Sequence, residues 1–253
     1  MPAISPLSIP GLFITGTDTG VGKTLVTGAI AALLVRQGRR VAACKPIATG
    51  CVHRREGLVS EDAEWLAHCS LTRHPLDLVC PQRYAEPLAP AVAAGRAGAP
   101  LDHAAIDRAI RIMSEGADLM LIEGIGGIMV PIDASHTVVD LVRWLKVPAI
   151  IVARAALGTI NHTLLTIAAL RQAGIQVAGV VVNRYPTDTP PLAEETNPRA
   201  IERWGKTKVL CLVPDCPTLS ATLPAVPASI AAAVGQVDWE GLLDAEGLPD
   251  KGE

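Results

Sequence analysis

A chain of 253 residues can bury one large α/β core or two small ones. Hydrophobic residues make up 49% of it and aromatics 3%, so the core is aliphatic, which favours a parallel sheet covered by helices over a sandwich. A net charge of −3 excludes a strongly basic nucleic-acid face.

The opening "MPAISPLSIPGLF" lacks the basic and unbroken apolar regions of a signal peptide. Arg143, Lys146 and Arg154 interrupt the best candidate for a membrane span. The six cysteines (Cys44, Cys51, Cys69, Cys80, Cys211, Cys216) form no C-x-x-C pair and have no His partners at zinc spacing. They read as reduced thiols of a cytoplasmic protein.

In chain order, residues 1–10 are an extension and "LFITG" (12–16) is a buried strand. A helix is expected over 23–38, stopped by Gly38, and a strand over 39–46, stopped by Pro46. A polar loop (47–60) leads to a short helix from Ser60 through "EDAEWLAHC", and 83–100 is the least regular stretch. Asp102 caps a helix, and "ADLMLIEG" (117–124) is an apolar strand with an acid at its tip. Helix 135–146, strand 147–153, helix 159–174 and strand 176–183 follow. Asn197 and Pro198 start a helix ended by Gly205, and "KVLCLVP" (208–214) is the last strand. No internal repeat is present, and 246–253 form a polar, frayed tail. The alternation implies one α/β domain (11–245), a doubly wound, mostly parallel sheet with helices on both faces. Its ligand site should lie beyond the carboxyl ends of the strands.

The residues after each strand carry the chemistry. "GTDTGVGKT" (Gly16–Thr24) sits between a strand and a helix. The strict pattern G-x-x-x-x-G-K-[ST] wants glycine at 17 and finds Thr17, with Gly16 one residue upstream. Backbone N–H groups of Thr19, Gly20, Val21 and Gly22 at a helix start can wrap a phosphate. Lys23 then reaches the β/γ-phosphates and the Thr24 hydroxyl binds Mg²⁺. Lys45 either adds positive charge where a phosphoryl group moves or is a solvated strand-end lysine. Glu123 is placed as the acid that holds Mg²⁺, and Gly126 and Gly127 allow close approach to a γ-phosphate. Asp62 is either a metal ligand or an acid favoured by its helix dipole. Asn183 either reads a nucleobase or is a turn residue, Thr49 is a weak hydroxyl donor, and His53 and His162 are structural or solvated.

The ordered set GTDTGVGKT, KPIATG, SEDAEWL, YAEPLAP, IEGIGG, LGTINHTLLT and VVNR resembles the dethiobiotin synthetases, P-loop enzymes, over residues 11 to about 215. The resemblance implies a ligase of biotin biosynthesis that joins CO₂ to 7,8-diaminopelargonate as a carbamate. The γ-phosphoryl of ATP is transferred to that carbamate, and the ring closes as phosphate leaves. It implies Lys23 and Lys45 on carbamate and phosphoryl charge, and Thr24, Asp62 and Glu123 on Mg²⁺. Thr19 and Thr49 would lie near the diamine or its carbamate, and Asn183 at the base. It also implies a homodimer in which Gly158, Thr159, Ile160 and Asn161 take the substrate carboxylate of the partner subunit, at a helix start where free N–H groups suit an anion.

Two positions and one stretch depart from that pattern. Gly20 stands where some members carry an acid, Ile125 replaces a small residue, and "DCPTLSATLPAVP" after Pro214 matches poorly. A dimer-activated switch ATPase would carry a lysine early in the loop, where Asp18 and Thr19 stand. An amidotransferase would need a glutaminase domain for which the chain has no room. A silent relative of the synthetases is opposed by the intact Lys23, Lys45, Asp62 and Glu123.

Overall fold

The computed structural model describes residues 3–216 and 225–243. The first half runs β1 (Gly11–Gly16), α1 (Lys23–Arg36), β2 (Val41–Cys44), β3 (Ile47–Thr49), β4 (Val52–Arg54), β5 (Gly57–Val59), α2 (Glu61–Cys69), α3 (Leu76–Val79), β6 (Gln82–Tyr84), α4 (Pro90–Ala97) and α5 (His103–Ser114). It continues as β7 (Leu119–Gly127), α6 (Val138–Leu145), β8 (Ala149–Arg154), α7 (Thr159–Gln172), β9 (Val177–Tyr185), α8 (Leu192–Gly205), β10 (Val209–Pro214), α9 (Ala228–Val234) and α10 (Trp239–Leu243).

The main sheet has six strands in the order β10-β9-β8-β1-β7-β2, and each neighbouring pair is parallel. β1 is buried along its whole length, as its unbroken apolar sequence requires of a strand covered on both faces. The chain fills one side of β1 first and then returns to the other, so the strand order reverses at β1. That is where open α/β sheets hold ligands.

Register determines which side chains meet. Cys44 pairs with Ile122, so the next residues, Lys45 and Glu123, come side by side. Ile14 pairs with Glu123, and after a register shift Gly16 pairs with Gly127. The last residue of the first strand thus lies against the glycine turn of β7. Helix α2 lies directly on α1 because Gly28 has no side chain; a Cβ there would stand 2.1 Å from Trp65 Nε1. This close packing carries Asp62, in the first turn of α2, to Thr24 in the first turn of α1.

Several elements differ from expectation. β7 and β9 run on to Gly127 and Tyr185, so Glu123 and Asn183 are interior strand residues rather than strand tips. The polar loop contains β3 and the β4–β5 hairpin, and the irregular stretch contains β6, which pairs with β3, and α4. Helix α8 begins at Leu192, not at Asn197, and its first turn holds Glu194 and Glu195, which favour a start there. Asn197 is buried inside it and donates from Nδ2 to Ala155 O at 2.8 Å, so this amide ties two elements instead of capping one. The described residues before β1 are docked: Ile4 is buried, and Leu7 N donates to Leu145 O. Cys44, Cys51, Cys69, Cys80 and Cys211 are buried thiols, and burial raises Cys69 and Cys211 to about 12. The poorly matching stretch after Pro214 lies largely, and the polar tail wholly, outside the described residues.

Candidate active site

The turn from β1 into α1 is held by its glycines. Gly22, at φ 96°, is the left-handed residue that starts α1. A Cβ on it would fall 1.9 Å from Asn183 Nδ2. Gly16 explains the shifted motif: a Cβ there would meet Val21 Cγ2 at 2.8 Å, Asp18 O at 3.0 Å and Lys23 Nζ at 3.1 Å. The glycine is needed where the lysine ammonium folds back over the strand end, one residue before the usual place. Lys23 is buried and donates to Asp18 O at 3.0 Å and to Gly126 O at 2.9 Å. Burial, aided by the charge of Lys45, lowers its pKa to about 8.

Beside it lies a cluster of two carboxylates, one ammonium and one hydroxyl. Lys45 Nζ is 2.6 Å from Glu123 Oε1 and 2.7 Å from Asp62 Oδ2. Thr24 Oγ1 is 2.8 Å from Glu123 Oε1 and 2.9 Å from Asp62 Oδ1, and can donate to one at a time. Burial pulls the Lys45 pKa down, but Glu123 and Asp62 outweigh it and hold the ammonium above its ordinary value. Burial raises the Glu123 carboxyl despite Lys45, whereas at Asp62 burial is outweighed by Lys45, the Thr24 hydroxyl and Lys23 acting together, which lower it. Glu123 Oε2 is buried without a hydrogen-bond partner among the described residues. Two carboxylates joined by one hydroxyl, with a carboxylate oxygen still unused, are the hard-oxygen donors that Mg²⁺ prefers.

The cluster therefore joins Lys23, Thr24, Lys45, Asp62 and Glu123, drawn from four places in the chain. Thr19 is exposed on the loop, near the position a Gly126 side chain would occupy. Gly20 is exposed with φ 73°, and Val21 is buried. Gly126, at φ 57°, has no room for a side chain beside Val130. Thr49 ends β3, half-buried. Gly158 is the left-handed start of α7, followed by buried Thr159, half-buried Ile160 and exposed Asn161. These four stand apart from the hydrogen-bonded cluster, as does Thr49. Asn183 is buried, with Nδ2 donating to Val21 O at 2.8 Å and Oδ1 without a partner among the described residues. Its role as the pin of the phosphate loop was not read from sequence; the required signal, a register two strands away, is absent from the local motif. His53 is exposed on β4 and His162 half-buried on α7.

A glycine-lined loop between the central strand and its helix, above a lysine and hard oxygens, defines a P-loop nucleoside-triphosphate protein. The fold agrees. A ParA family ATPase from Chlorobium tepidum superposes with a TM-score of 0.54 over 92% of this chain and 98% of its own, at 13% identity. The septum site-determining protein MinD complexed with Mg-ADP, from Pyrococcus horikoshii, gives 0.51 over 90% and 93%, at 18% identity. The family described as an AAA domain matches residues 10–222. In sequence, the ATP-dependent dethiobiotin synthetase of Thermodesulfovibrio yellowstonii is 38% identical over 81% of this chain and 88% of its own. That of Anaeromyxobacter dehalogenans is 38% identical over 88% and 98%, and that of Rhodococcus jostii 45% over 74% and 78%. This chain belongs to the ATP-dependent dethiobiotin synthetase family.

Proposed function

We propose that this chain is an ATP-dependent carbon–nitrogen ligase of biotin biosynthesis, making dethiobiotin from 7,8-diaminopelargonate and CO₂. The observation that carries the reading from family to site is the cluster of Lys23, Thr24, Lys45, Asp62 and Glu123, gathered past the ends of β1 and β2 and beside the middle of β7. One amine and CO₂ give a carbamate and a proton. A carbamate oxygen attacks the γ-phosphorus and ADP leaves. The second amine then attacks the carbonyl carbon, a proton is lost and phosphate leaves. This sequence asks the protein for positioning and charge, not for a nucleophile.

Each residue has a task that its surroundings support. The backbone of Thr19 to Gly22 cradles phosphate, and Lys23, already turned toward the glycine turn of β7, meets the transferred group. Lys45 balances carbamate and phosphoryl charge. Thr24, Asp62 and Glu123 would hold Mg²⁺, which supplies Lewis-acid charge compensation when bound. Asn183 has one oxygen to offer a nucleobase amine while its nitrogen holds the loop. Thr19 and Thr49 face the diamine. Gly158 to Asn161 take the substrate carboxylate across a homodimer interface; exposed Leu157, just before that helix start, and exposed Leu165, within the helix, suit such a contact. A cytoplasmic location fits the buried thiols, and among the described residues no helix is long and apolar enough to cross a membrane. Incubating the protein with the diamine, bicarbonate and Mg²⁺-ATP tests the reading by mass spectrometry. An ATP-dependent product that has gained one carbonyl and lost two amine hydrogens is expected. ATP hydrolysis indifferent to the diamine, with no product, would overturn it.

A further inference from the structure

His103, the first residue of α5, meets the loop between β7 and α6 far from it in sequence. His103 Nε2 is 2.7 Å from Asp133 Oδ2, and His136 Nδ1 is 2.9 Å from the same oxygen and 3.1 Å from Oδ1. One ligand atom from each of the three residues lies within 4.8 Å of the others. Asp133 is already oriented: its Oδ1 accepts from Ser135 N at 2.7 Å and His136 N at 2.9 Å. Trp144 of α6 packs edge-on against both imidazoles, with centroids 5.6 Å from His103 and 4.8 Å from His136. Among the described residues His103 Nδ1 is buried with no hydrogen-bond partner, so Nε2 makes this ring's polar contact.

We propose that His103, Asp133 and His136 form a binding site for a zinc-type divalent cation, built from different residues than the phosphate site. Two imidazoles and one carboxylate suit Zn²⁺ or Co²⁺, whereas Mg²⁺ and Ca²⁺ take oxygen ligands. Bonds of about 2.0 Å in a tetrahedron place ligand atoms about 3.3 Å apart. The two short contacts to Asp133 therefore open by a few tenths of an ångström as the cation replaces the shared protons. Three protein ligands leave a position for water, and Asp133 and Ala134 line a cavity of about 350 Å³ that can supply it. The backbone N–H bonds to Oδ1 orient the carboxylate as outer partners of a metal ligand do. Occupancy would fasten α5 to the loop that begins just after Gly126, whose carbonyl holds Lys23.

The test is calorimetric titration of the full chain with ZnCl₂ in excess Mg²⁺, which occupies the carboxylates under the phosphate loop. One equivalent is expected to bind, with affinity falling ~10-fold or more in both His103→Gln and His136→Gln. Zn²⁺ binding that is no tighter in the wild type than in His136→Gln would overturn the proposal. A second readout needs no histidine variant. Co²⁺ bound here should quench tryptophan emission in the wild type and much less in Trp144→Phe; equal quenching would count against the site.

Discussion

Replacing Lys45 by Met keeps the apolar stem and removes the charge that sits 2.6 Å from Glu123 and 2.7 Å from Asp62. Asp62 is partly exposed and can turn to water, but Glu123 is 1% exposed and cannot. Breaking a buried ion pair from one side costs about 3–5 kcal/mol. Glu123 can limit that cost by taking up a proton. Relative to an unfolded glutamate of pKa about 4.3, protonation near pH 7 costs about 3.7 kcal/mol, and near pH 5.5 about 1.6 kcal/mol, at 1.36 kcal/mol per unit. The sign follows from the raised folded pKa. The penalty is absent below the unfolded pKa and grows with pH until the folded carboxyl ionises. Urea unfolding without Mg²⁺, followed by tryptophan fluorescence, should therefore show Lys45→Met destabilised by about 3–4 kcal/mol near pH 7 and by less than half of that near pH 5.5. An equal loss at both pH values, or a loss under about 1 kcal/mol near pH 7, would refute the reasoning.

The same variant should lose dethiobiotin formation, read by mass spectrometry of the product. Lys23, lowered to about 8 by burial, is held below its unfolded value, so nucleotide-free stability should rise as pH climbs through about 8 toward the unfolded pKa. Phosphate beside it restores the charge, so ATP binding near pH 8 should take up protons, seen as buffer-dependent heat that vanishes in Lys23→Met. Gly22→Ala drives a Cβ into Asn183 and demands an unfavourable φ; a fluorescent ATP analogue should bind at least ~10-fold more weakly, a loss of about 1.4 kcal/mol. Added to Asn183→Ala, the Gly22→Ala change should cost less than it does alone, because the clash is gone and the strain remains; strict additivity in that cycle would show that the contact is unimportant. Glu123→Gln should raise the Mg²⁺ concentration needed for half-maximal turnover, measured by titration at saturating ATP.

The parallel sheet, the phosphate loop and its lysine were legible because they depend on local patterns: apolar runs, a strand–glycine–helix passage and caps. Lys45 was legible as a residue just past a strand, and Glu123 as an acid on an apolar strand, although that strand runs on to Gly127. Their contact was not, since it rests on Cys44 pairing with Ile122. Gly16 looked like a misplaced motif glycine until Lys23 Nζ was found 3.1 Å from where its side chain would begin. Asn197 carried every local sign of a helix cap and proved to be an interior tie, because tertiary demand for a donor at Ala155 O outweighs local preference. His103, Asp133 and His136 gave no signal at all, being joined by packing of α5 against a distant loop.

The Asn183 amide has a mechanical consequence. It is anchored in β9, yet it grips the loop that follows β1, with β8 lying between those two strands. A loosening of the β9–β10 margin is therefore transmitted to the phosphate cradle, and a cradle clamped around its anion in turn steadies that margin. Amide hydrogen exchange along β9 would then report on the occupancy of a loop two strands away.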